Sequence, residues 1–156
     1  MPKQGAEPIN ILMADDDQDD CLLVKDAFAE SHLINDLYFV EDGEELLDYL
    51  KRRGKYRDVI LSPRPGLILL DLNMPKKDGR EALKEIKSDP SLRSIPIVVL
   101  TSSKEEGDVF CSYDLGANSY ITKPVTFDTL IEVVMALGQY WFEIVKLPSP
   151  PTGQLP

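Results

Sequence analysis

The sequence lacks the features that would place a chain of 156 residues among membrane, secreted or disulfide-stabilised proteins. No apolar run approaches the ~20 residues of a membrane span, and residues 1–8 lack the apolar core of a signal peptide. The two cysteines, Cys21 and Cys111, are too few for a disulfide scaffold. We therefore predict a cytoplasmic protein with reduced, semi-buried thiols and no association with a membrane.

Basic side chains are also scarce, because 17 Lys and Arg stand against 27 Asp and Glu, which gives a formal net charge of −10. Proteins that bind nucleic acid neutralise phosphates with clustered Lys and Arg, so we expect no nucleic-acid partner. The composition of 43% hydrophobic and 28% charged residues is typical of a folded globular protein. A single domain of this size buries about two-thirds of its extended-chain surface, which is enough for a core.

Short apolar runs alternate with longer amphipathic stretches along the chain. The predicted strands are Ile9–Ala14, Leu37–Val40, Gly66–Leu70, Ile95–Leu100 and Ser119–Ile121, and the predicted helices are Gln18–Glu30, Glu44–Arg53, Asp78–Lys87, Lys104–Leu115 and Phe127–Val145. The last three strands hardly alternate in polarity, which is typical of parallel strands buried on both faces. Five βα units therefore predict an α/β fold, an open three-layer α/β/α sandwich.

Three segments lie outside this pattern. Residues 1–8 form a predicted flexible N-terminus before a domain over residues 9–146, and residues 147–156 form a Pro-rich tail. Residues 54–65 form an inserted loop before the third strand, ended by prolines that cannot extend a helix. Basic residues concentrate in and before this insert, and either recognise a partner or cover the sheet edge: Lys51, Arg52, Arg53, Lys55, Arg57 and Arg64.

Chemically informative residues fall where predicted strands end. Asp15 and Asp16 follow the first strand, Asp71 the third and Thr101 the fourth, while Lys123 comes just after the fifth. The carboxyl ends of parallel strands share one edge of a sheet, so these side chains should meet. Two carboxylates about 4 Å apart repel by roughly 4 kcal/mol at an effective dielectric of about 20. A third requires protons or a cation.

The donors in this cluster are oxygen atoms, which suit Mg²⁺, with Mn²⁺ also possible. Asp15, Asp16 and Asp71 would hold one ion, and Asn73 would add its backbone carbonyl. The ion would neutralise an incoming phosphoryl group, with Lys123 and Thr101 on its other oxygens. Asp71 is then the nucleophile that forms an acyl phosphate.

The set Asp15-Asp16, Asp71, Thr101 and Lys123-Pro124 resembles the signature of the receiver domain of two-component response regulators. The resemblance covers about residues 9–140. It implies the flavodoxin-like strand order 2-1-3-4-5, phosphotransfer from a histidine kinase to Asp71, and Mg²⁺ at the three aspartates. It also implies that Tyr120 is the switch aromatic, which responds when Thr101 turns to the phosphoryl group, and that the peptide bond before Pro124 is cis.

A narrower resemblance links the chain to the small response regulators paired with cyanobacterial phytochromes. It rests on the 54–65 insert, on the segment Asp71-Leu-Asn-Met-Pro-Lys-Lys-Asp-Gly-Arg and on residues 140–145. It implies a phytochrome-type histidine kinase as the phosphodonor. The chain would then be a phosphoacceptor signalling protein and not an enzyme.

The last predicted helix has an apolar surface broader than one sheet face can cover. Val133, Tyr140 and Ile144 widen its sheet-facing stripe on one side, and Phe142 widens it on the other. We predict a symmetric homodimer through the fourth helix, the fifth strand and the fifth helix. The alternative is that residues 147–156 fold back over this surface.

Other interpretations remain beside the leading one. The run Asp15–Asp20 can cap a helix, which would account for Asp17, Asp19 and Asp20. Tyr120 can be a packing residue instead of a switch. An aspartyl-nucleophile phosphatase would need a general acid two residues after Asp71, where Asn73 stands. A flavin carrier would need a phosphate-cradling loop after the first strand. A degenerate receiver that acts only as a binding module is the last alternative.

Overall fold

The computed structural model describes residues 9–31, 35–103, 105–123 and 126–137. Five parallel strands form one sheet in the order β2-β1-β3-β4-β5, which confirms the predicted flavodoxin-like topology. The strands are β1 Ile11–Ala14, β2 Leu37–Val40, β3 Leu67–Leu70, β4 Ile97–Thr101 and β5 Ser119–Thr122, and the helices are α1 Gln18–Glu30, α2 Gly43–Leu50, α3 Gly79–Ser88, α4 Glu106–Leu115 and α5 Phe127–Leu137.

The strands β1 and β3 are apolar at every position, and β4 is apolar up to Thr101, because both faces of the sheet are covered by helices. On one face, Leu12, Ile68 and Ile97 belong to a core that includes buried residues of α2 and α3. On the other face, alternate strand residues such as Met13 and Leu69 pack with buried residues of α1 and α5. This double burial fixes the strands and therefore the positions of the residues just beyond their carboxyl ends.

Aspartates begin three of the helices. Asp17, Asp42 and Asp78 each accept hydrogen bonds from backbone N–H groups of the first turn of α1, α2 and α3. Such caps satisfy N–H groups that have no partner within the helix, and each contributes about 1 kcal/mol. The capping interpretation of the acidic run is thus confirmed for Asp17.

Several element boundaries differ from the sequence prediction. The helix α2 ends at Leu50 instead of Arg53, because Arg52 adopts a left-handed backbone with φ 56°. The strand β4 begins at Ile97, directly after Pro96, which has no N–H to donate. The strand β5 lies at the sheet edge and is only half-buried, so the prediction of burial on both faces is wrong for it. Cys111 is exposed, whereas Cys21 is semi-buried as predicted.

The 54–65 insert contains a short 3-10 helix, Gly54–Tyr56, and packs against α2. The Tyr49 hydroxyl donates to the carbonyl of Pro63 at 2.9 Å, and the Tyr56 hydroxyl donates to Glu45 at 2.5 Å. Among the described residues, no helix combines the length and apolarity needed to cross a membrane. The predicted N-terminus 1–8, the tail 147–156 and the last part of the fifth predicted helix lie outside the described residues.

The start of α3 packs closely against the backbone of Asp71 and Leu72 at Gly79. A Cβ atom at Gly79 would lie 2.2 Å from the backbone oxygen of Asp71 and 2.7 Å from the Cα atom of Leu72. Because backbone must move, we expect Gly79→Ala to lower the free energy of unfolding by about 3 kcal/mol in urea denaturation. Gly107 in α4 is the matched control, since a Cβ there meets nothing within 4 Å. Gly107→Ala should stabilise by about 0.5 kcal/mol, and equal effects of the two changes would contradict this account.

Candidate functional site

Three aspartates meet at the carboxyl edge of the sheet, as the sequence predicts. Asp15 follows β1 and Asp71 follows β3, and their backbone N–H groups still bond to the neighbouring strands, at Val40 and Ala14 respectively. Asp16 is exposed beside them. One carboxylate oxygen from each aspartate lies within 4.8 Å of the others. Asp15 is 1% exposed and Asp71 is 6% exposed, so two of these charges are largely withdrawn from water.

Lys123 joins this cluster from the end of β5. Its ammonium group lies 2.6 Å from Asp15 Oδ2, 2.7 Å from Asp20 Oδ2 and 3.5 Å from Asp71 Oδ2. The backbone N–H of Lys123 donates to the carbonyl of Thr101, which ties its position to β4. Burial opposes the charge on Lys123, but the hydrogen bonds to Asp15 and Asp20 outweigh it and raise the pKa of the ammonium group. Lys123 therefore remains a cation between carboxylates.

Asp20 is a member of the site that sequence reasoning missed. As part of the run Asp15–Asp20, Asp20 was interpreted as a helix-capping residue. In the structure the Asp20 carboxylate pairs with Lys123. Helical geometry could have predicted this contact, because side chains in a helix tilt towards its amino end and Asp20 lies in the first turn of α1, next to the sheet edge. The lysine is thus shared among three carboxylates and fully neutralises none of them.

Burial disfavours the ionised form of Asp15 despite its contact with Lys123. Burial raises the pKa of Asp15 to about 6, the hydrogen bonds from Lys123 and from the N–H of Asp17 oppose the rise, and the charge of Asp71 adds to it. A carboxyl group with a raised pKa is one whose ionised form lacks stabilising partners. A divalent cation at this position would supply them.

The donor set fits a hard cation. The cleft beside the aspartates has a volume of about 530 Å³, and its walls include Asp16, Asp71 and Asn73. Cys21 is the cysteine nearest this cluster among the described residues, and its Sγ lies 3.7 Å from the carbonyl oxygen of Asp15. Burial raises the pKa of the Cys21 thiol to about 12, so the thiol stays protonated and the ligand set remains oxygen.

Both oxygens of the Asp71 carboxylate have partners. Oδ1 accepts the hydroxyl of Thr101 at 2.7 Å and the backbone N–H of Asn73 at 3.1 Å, while Oδ2 faces Lys123. Thr101 is fully buried at the end of β4. The hydroxyl and the ammonium group predicted to contact a phosphoryl group therefore already contact the predicted acceptor.

A second network extends from the loop after Asp71 to α4 and was not predicted from sequence. The Arg80 guanidinium forms two hydrogen bonds to the Asp108 carboxylate, at 2.7 and 2.6 Å, and also lies 3.4 Å from the carbonyl oxygen of Leu72. The hydroxyl of Ser103 also donates to Asp108. The hydrogen bonds from Arg80 and Ser103 lower the pKa of Asp108 to about 2, so it remains ionised.

Tyr120 connects to this network. Its hydroxyl donates to the backbone carbonyl of Ser103 at 3.0 Å, and its half-buried ring packs against the core. Packing and switching roles are both compatible with this position. Pro124, Tyr140, Phe142 and Ile144 lie outside the described residues, and Val133 is half-buried on α5.

Comparison with known proteins agrees with this geometry. The family model described as "Response regulator receiver domain" matches residues 11–135. Response regulator Rcp1 of Synechocystis sp. is 42% identical over 149 residues, which cover 96% of this chain and 99% of that protein.

Two solved structures extend the comparison. The phosphorylated cyanobacterial phytochrome response regulator RcpA is 44% identical with a TM-score of 0.84, covering 92% of this chain and 100% of that chain. The Mn²⁺-bound form of Rcp1 is 44% identical with a TM-score of 0.82, covering 91% and 100%. The similarity extends over nearly the whole length of these small response regulators.

The Arg80–Asp108 pair should measurably couple α3 to α4. We expect a double-mutant cycle with Arg80→Gln and Asp108→Asn to give a coupling energy of about 1 kcal/mol in urea denaturation, since the pair is bidentate and Asp108 is largely shielded from water. Removing either partner should also shift the NMR signals of Ser103 and Tyr120, which share the network.

The ion pair between Lys77 and Glu85 is the matched control, because both of its side chains are about a third exposed. Its cycle, with Lys77→Gln and Glu85→Gln, should give less than about 0.5 kcal/mol. Additive effects of Arg80→Gln and Asp108→Asn would contradict the coupling.

Proposed function

The chain belongs to the response regulator receiver domain family, and on that premise we propose that it accepts a phosphoryl group on the Asp71 carboxylate from a histidine kinase. The observation that carries the proposal is the position of Asp71, which lies within one cluster with two further aspartates, a buried hydroxyl and an ammonium group. The reaction changes a surface of the protein, so the chain is a phosphoacceptor signalling protein and not a turnover enzyme.

In the proposed reaction, one oxygen of Asp71 attacks phosphorus, and the bond from phosphorus to the imidazole nitrogen of the donor histidine breaks. The imidazole leaves with the electron pair of that bond and takes up a proton, and Asp71 becomes an acyl phosphate. Thr101 and Lys123 already contact Asp71 at 2.7 and 3.5 Å. Small movements would therefore bring their hydrogen-bond donors onto the oxygens of the transferred group.

The cation in this proposal is Mg²⁺, with Mn²⁺ also accepted. Asp15, Asp16, Asp71 and the backbone carbonyl of Asn73 would hold it, and it would neutralise charge on the phosphoryl oxygens. The distances among the three carboxylates support this ligand set. A Mn²⁺-bound structure of the related Rcp1 supports the choice of ion.

We assign the phosphodonor to the phytochrome-type histidine kinases. The support is the 42–44% identity, over nearly the full length, to Rcp1 and to RcpA, the second of which is described as a phytochrome response regulator. The cytoplasmic location and the absence of a nucleic-acid partner remain predictions from the sequence.

The phosphatase alternative is less well supported. Such an enzyme would use an acid two residues after its nucleophile to protonate the leaving group, and that residue here is Asn73. A degenerate receiver is disfavoured because Asp71, Thr101 and Lys123 are all present and in contact.

The signal would leave the site through Thr101 and the β4–α4 loop. Thr101 binds Asp71, and two residues later Ser103 accepts the hydroxyl of Tyr120 and donates to Asp108. If Thr101 turns to the phosphoryl group, the loop carries Ser103 with it and both contacts change. Tyr120 would thereby report phosphorylation to α4 and β5.

The surface that receives this signal would form a homodimer. Phe110 and Tyr113 of α4 are 71% and 49% exposed, and Met135 of α5 is 55% exposed, so apolar area flanks the edge strand β5 on both sides. Val133, on the same helix α5 as Met135, is half-buried. A second copy would cover this area. The predicted contributions of Tyr140, Phe142 and Ile144 remain proposals.

Phosphorylation of Asp71 can be measured by intact-protein mass spectrometry after incubation with Mg²⁺ and acetyl phosphate. We expect one added phosphoryl group in the wild-type chain and none in Asp71→Asn. Asp78→Asn is the matched control, since it removes an equal charge from the same loop and Asn is also a good helix cap. A phosphoryl group that is still added to Asp71→Asn would contradict Asp71 as the acceptor. Rapid release of phosphate over many turnovers would favour the aspartyl-nucleophile phosphatase instead.

The dimer can be measured by analytical ultracentrifugation over a range of concentrations. We expect Phe110→Ser to weaken self-association about tenfold, because an exposed aromatic ring would leave the interface. Leu22→Ser is the control, since Leu22 is 57% exposed on α1, away from β5. A monomeric wild-type chain, or equal weakening by both changes, would contradict the proposed surface.

A further inference from the structure

The 54–65 insert helps to form a cavity far from the Asp71 site. The cavity has a volume of about 420 Å³ and lies between the end of α2, the last residues of the insert and the connection from α3 to β4. Its wall includes Pro65, which lies just before β3, and Leu92, which lies shortly before β4. It therefore occupies the amino edge of the sheet, whereas Asp71 lies at the carboxyl edge.

Two guanidinium groups line this cavity. Arg52 donates to the backbone carbonyl of Ser62 at 3.1 Å, and Arg64 donates to the backbone carbonyl of Ser91 at 2.9 Å. A guanidinium has five N–H donors, so each keeps donors beyond this one bond. Within the described ranges, neither arginine has a carboxylate partner within 4.0 Å, whereas Lys51 in the same wall pairs with Glu85 at 3.3 Å.

The charges of the two arginines in this wall oppose each other. Burial lowers the pKa of Arg64, the charge of Arg52 lowers it further, and Asp89 only partly opposes them. Arg52 also adopts φ 56°, a backbone conformation that residues other than glycine rarely adopt. Neighbouring cations in a partly buried wall are stabilised by an anion that binds both.

Apolar groups complete the cavity wall. Tyr49, Leu50 and Leu92 are buried core residues that also line the cavity. The volume lies within the range of small-molecule pockets, which combine apolar walls with a few converging polar groups. Guanidinium groups suit planar, bidentate contact with carboxylate or phosphate. These features specify a ligand with both an anionic and an apolar part.

We propose that this cavity binds a small organic anion, in which a phosphate or carboxylate group contacts Arg52 and Arg64 and an apolar body contacts the wall of Tyr49 and Leu92. The inference is independent of phosphorylation at Asp71. It gives Arg52, which lies just before the insert, and Arg64, which lies within it, a role in recognition.

The test is an NMR titration of the ¹⁵N-labelled chain with phenyl phosphate, and in a second arm with benzoate, in the absence of divalent cations. We expect saturable shifts at the amides of Arg52, Ser62 and Ser91 with at least one probe. Arg52→Gln and Arg64→Gln should each weaken binding about tenfold. The control is Arg57→Gln, which removes an exposed charge from the same insert and should change the affinity less than about twofold.

The arm that binds more tightly identifies the preferred oxyanion. If Arg64→Gln fails to fold because the bond to Ser91 is lost, Arg52→Gln carries the test. The proposal is overturned if neither probe gives saturable shifts, or if Arg57→Gln weakens binding as much as Arg52→Gln. Inorganic sulfate that binds as tightly as both probes would mean an adventitious ion only, and would also overturn it.

Discussion

The contact of one lysine with three carboxylates is the interaction on which the site depends. Asp15 and Asp71 are buried at the ends of adjacent strands, where Coulomb repulsion is screened less than in water. Lys123 reduces this repulsion by lying 2.6 Å from Asp15 and 3.5 Å from Asp71, but it must also pair with Asp20. The cluster remains net negative even with the lysine in place. In the proposed reaction, a divalent cation would offset that residual charge and would reduce its repulsion of the incoming phosphoryl group.

The parallel sheet positions the side chains of the site relative to one another. Side chains that are far apart in sequence meet because each lies at or just beyond the carboxyl end of a strand. The strands β1, β3 and β4, which position Asp15, Asp71 and Thr101, are buried on both faces. A short chain of contacts leads from Asp71 towards the surface, and the proposed signal would follow it. Thr101 and Ser103 lie on one short segment, and Ser103 contacts both Tyr120 and Asp108. In the proposed function, movement of that segment would change contacts on α4 and β5 together.

Much of the fold and of the site could be predicted from the sequence, because both depend on strand-forming patterns and on the residues just beyond the end of each strand. The meeting of Asp15, Asp71, Thr101 and Lys123 is a consequence of that logic, whereas the strand order was implied by the resemblance to receiver domains. The Arg80–Asp108 contact could not be predicted, since it depends on how two helices lie against each other. The cavity lined by Arg52 and Arg64 could not be predicted either. The helical pattern of the sequence continues to Arg53, but α2 ends at Leu50 because Arg52 has a left-handed backbone. The positions of residues along one helix or strand can be predicted from the sequence, whereas side-chain contacts between two helices or loops depend on the three-dimensional packing.

The most direct test of the account is calorimetric titration of Mg²⁺ into the wild-type chain, Asp15→Asn and Asp19→Asn. Asp19 lies in the first turn of α1, exposed and outside the three-carboxylate cluster, so its change controls for a simple loss of negative charge. The account predicts one ion per chain in the wild type and in Asp19→Asn, with binding weakened at least about tenfold in Asp15→Asn. No uptake by the wild-type chain, or equal affinity in Asp15→Asn, would contradict it.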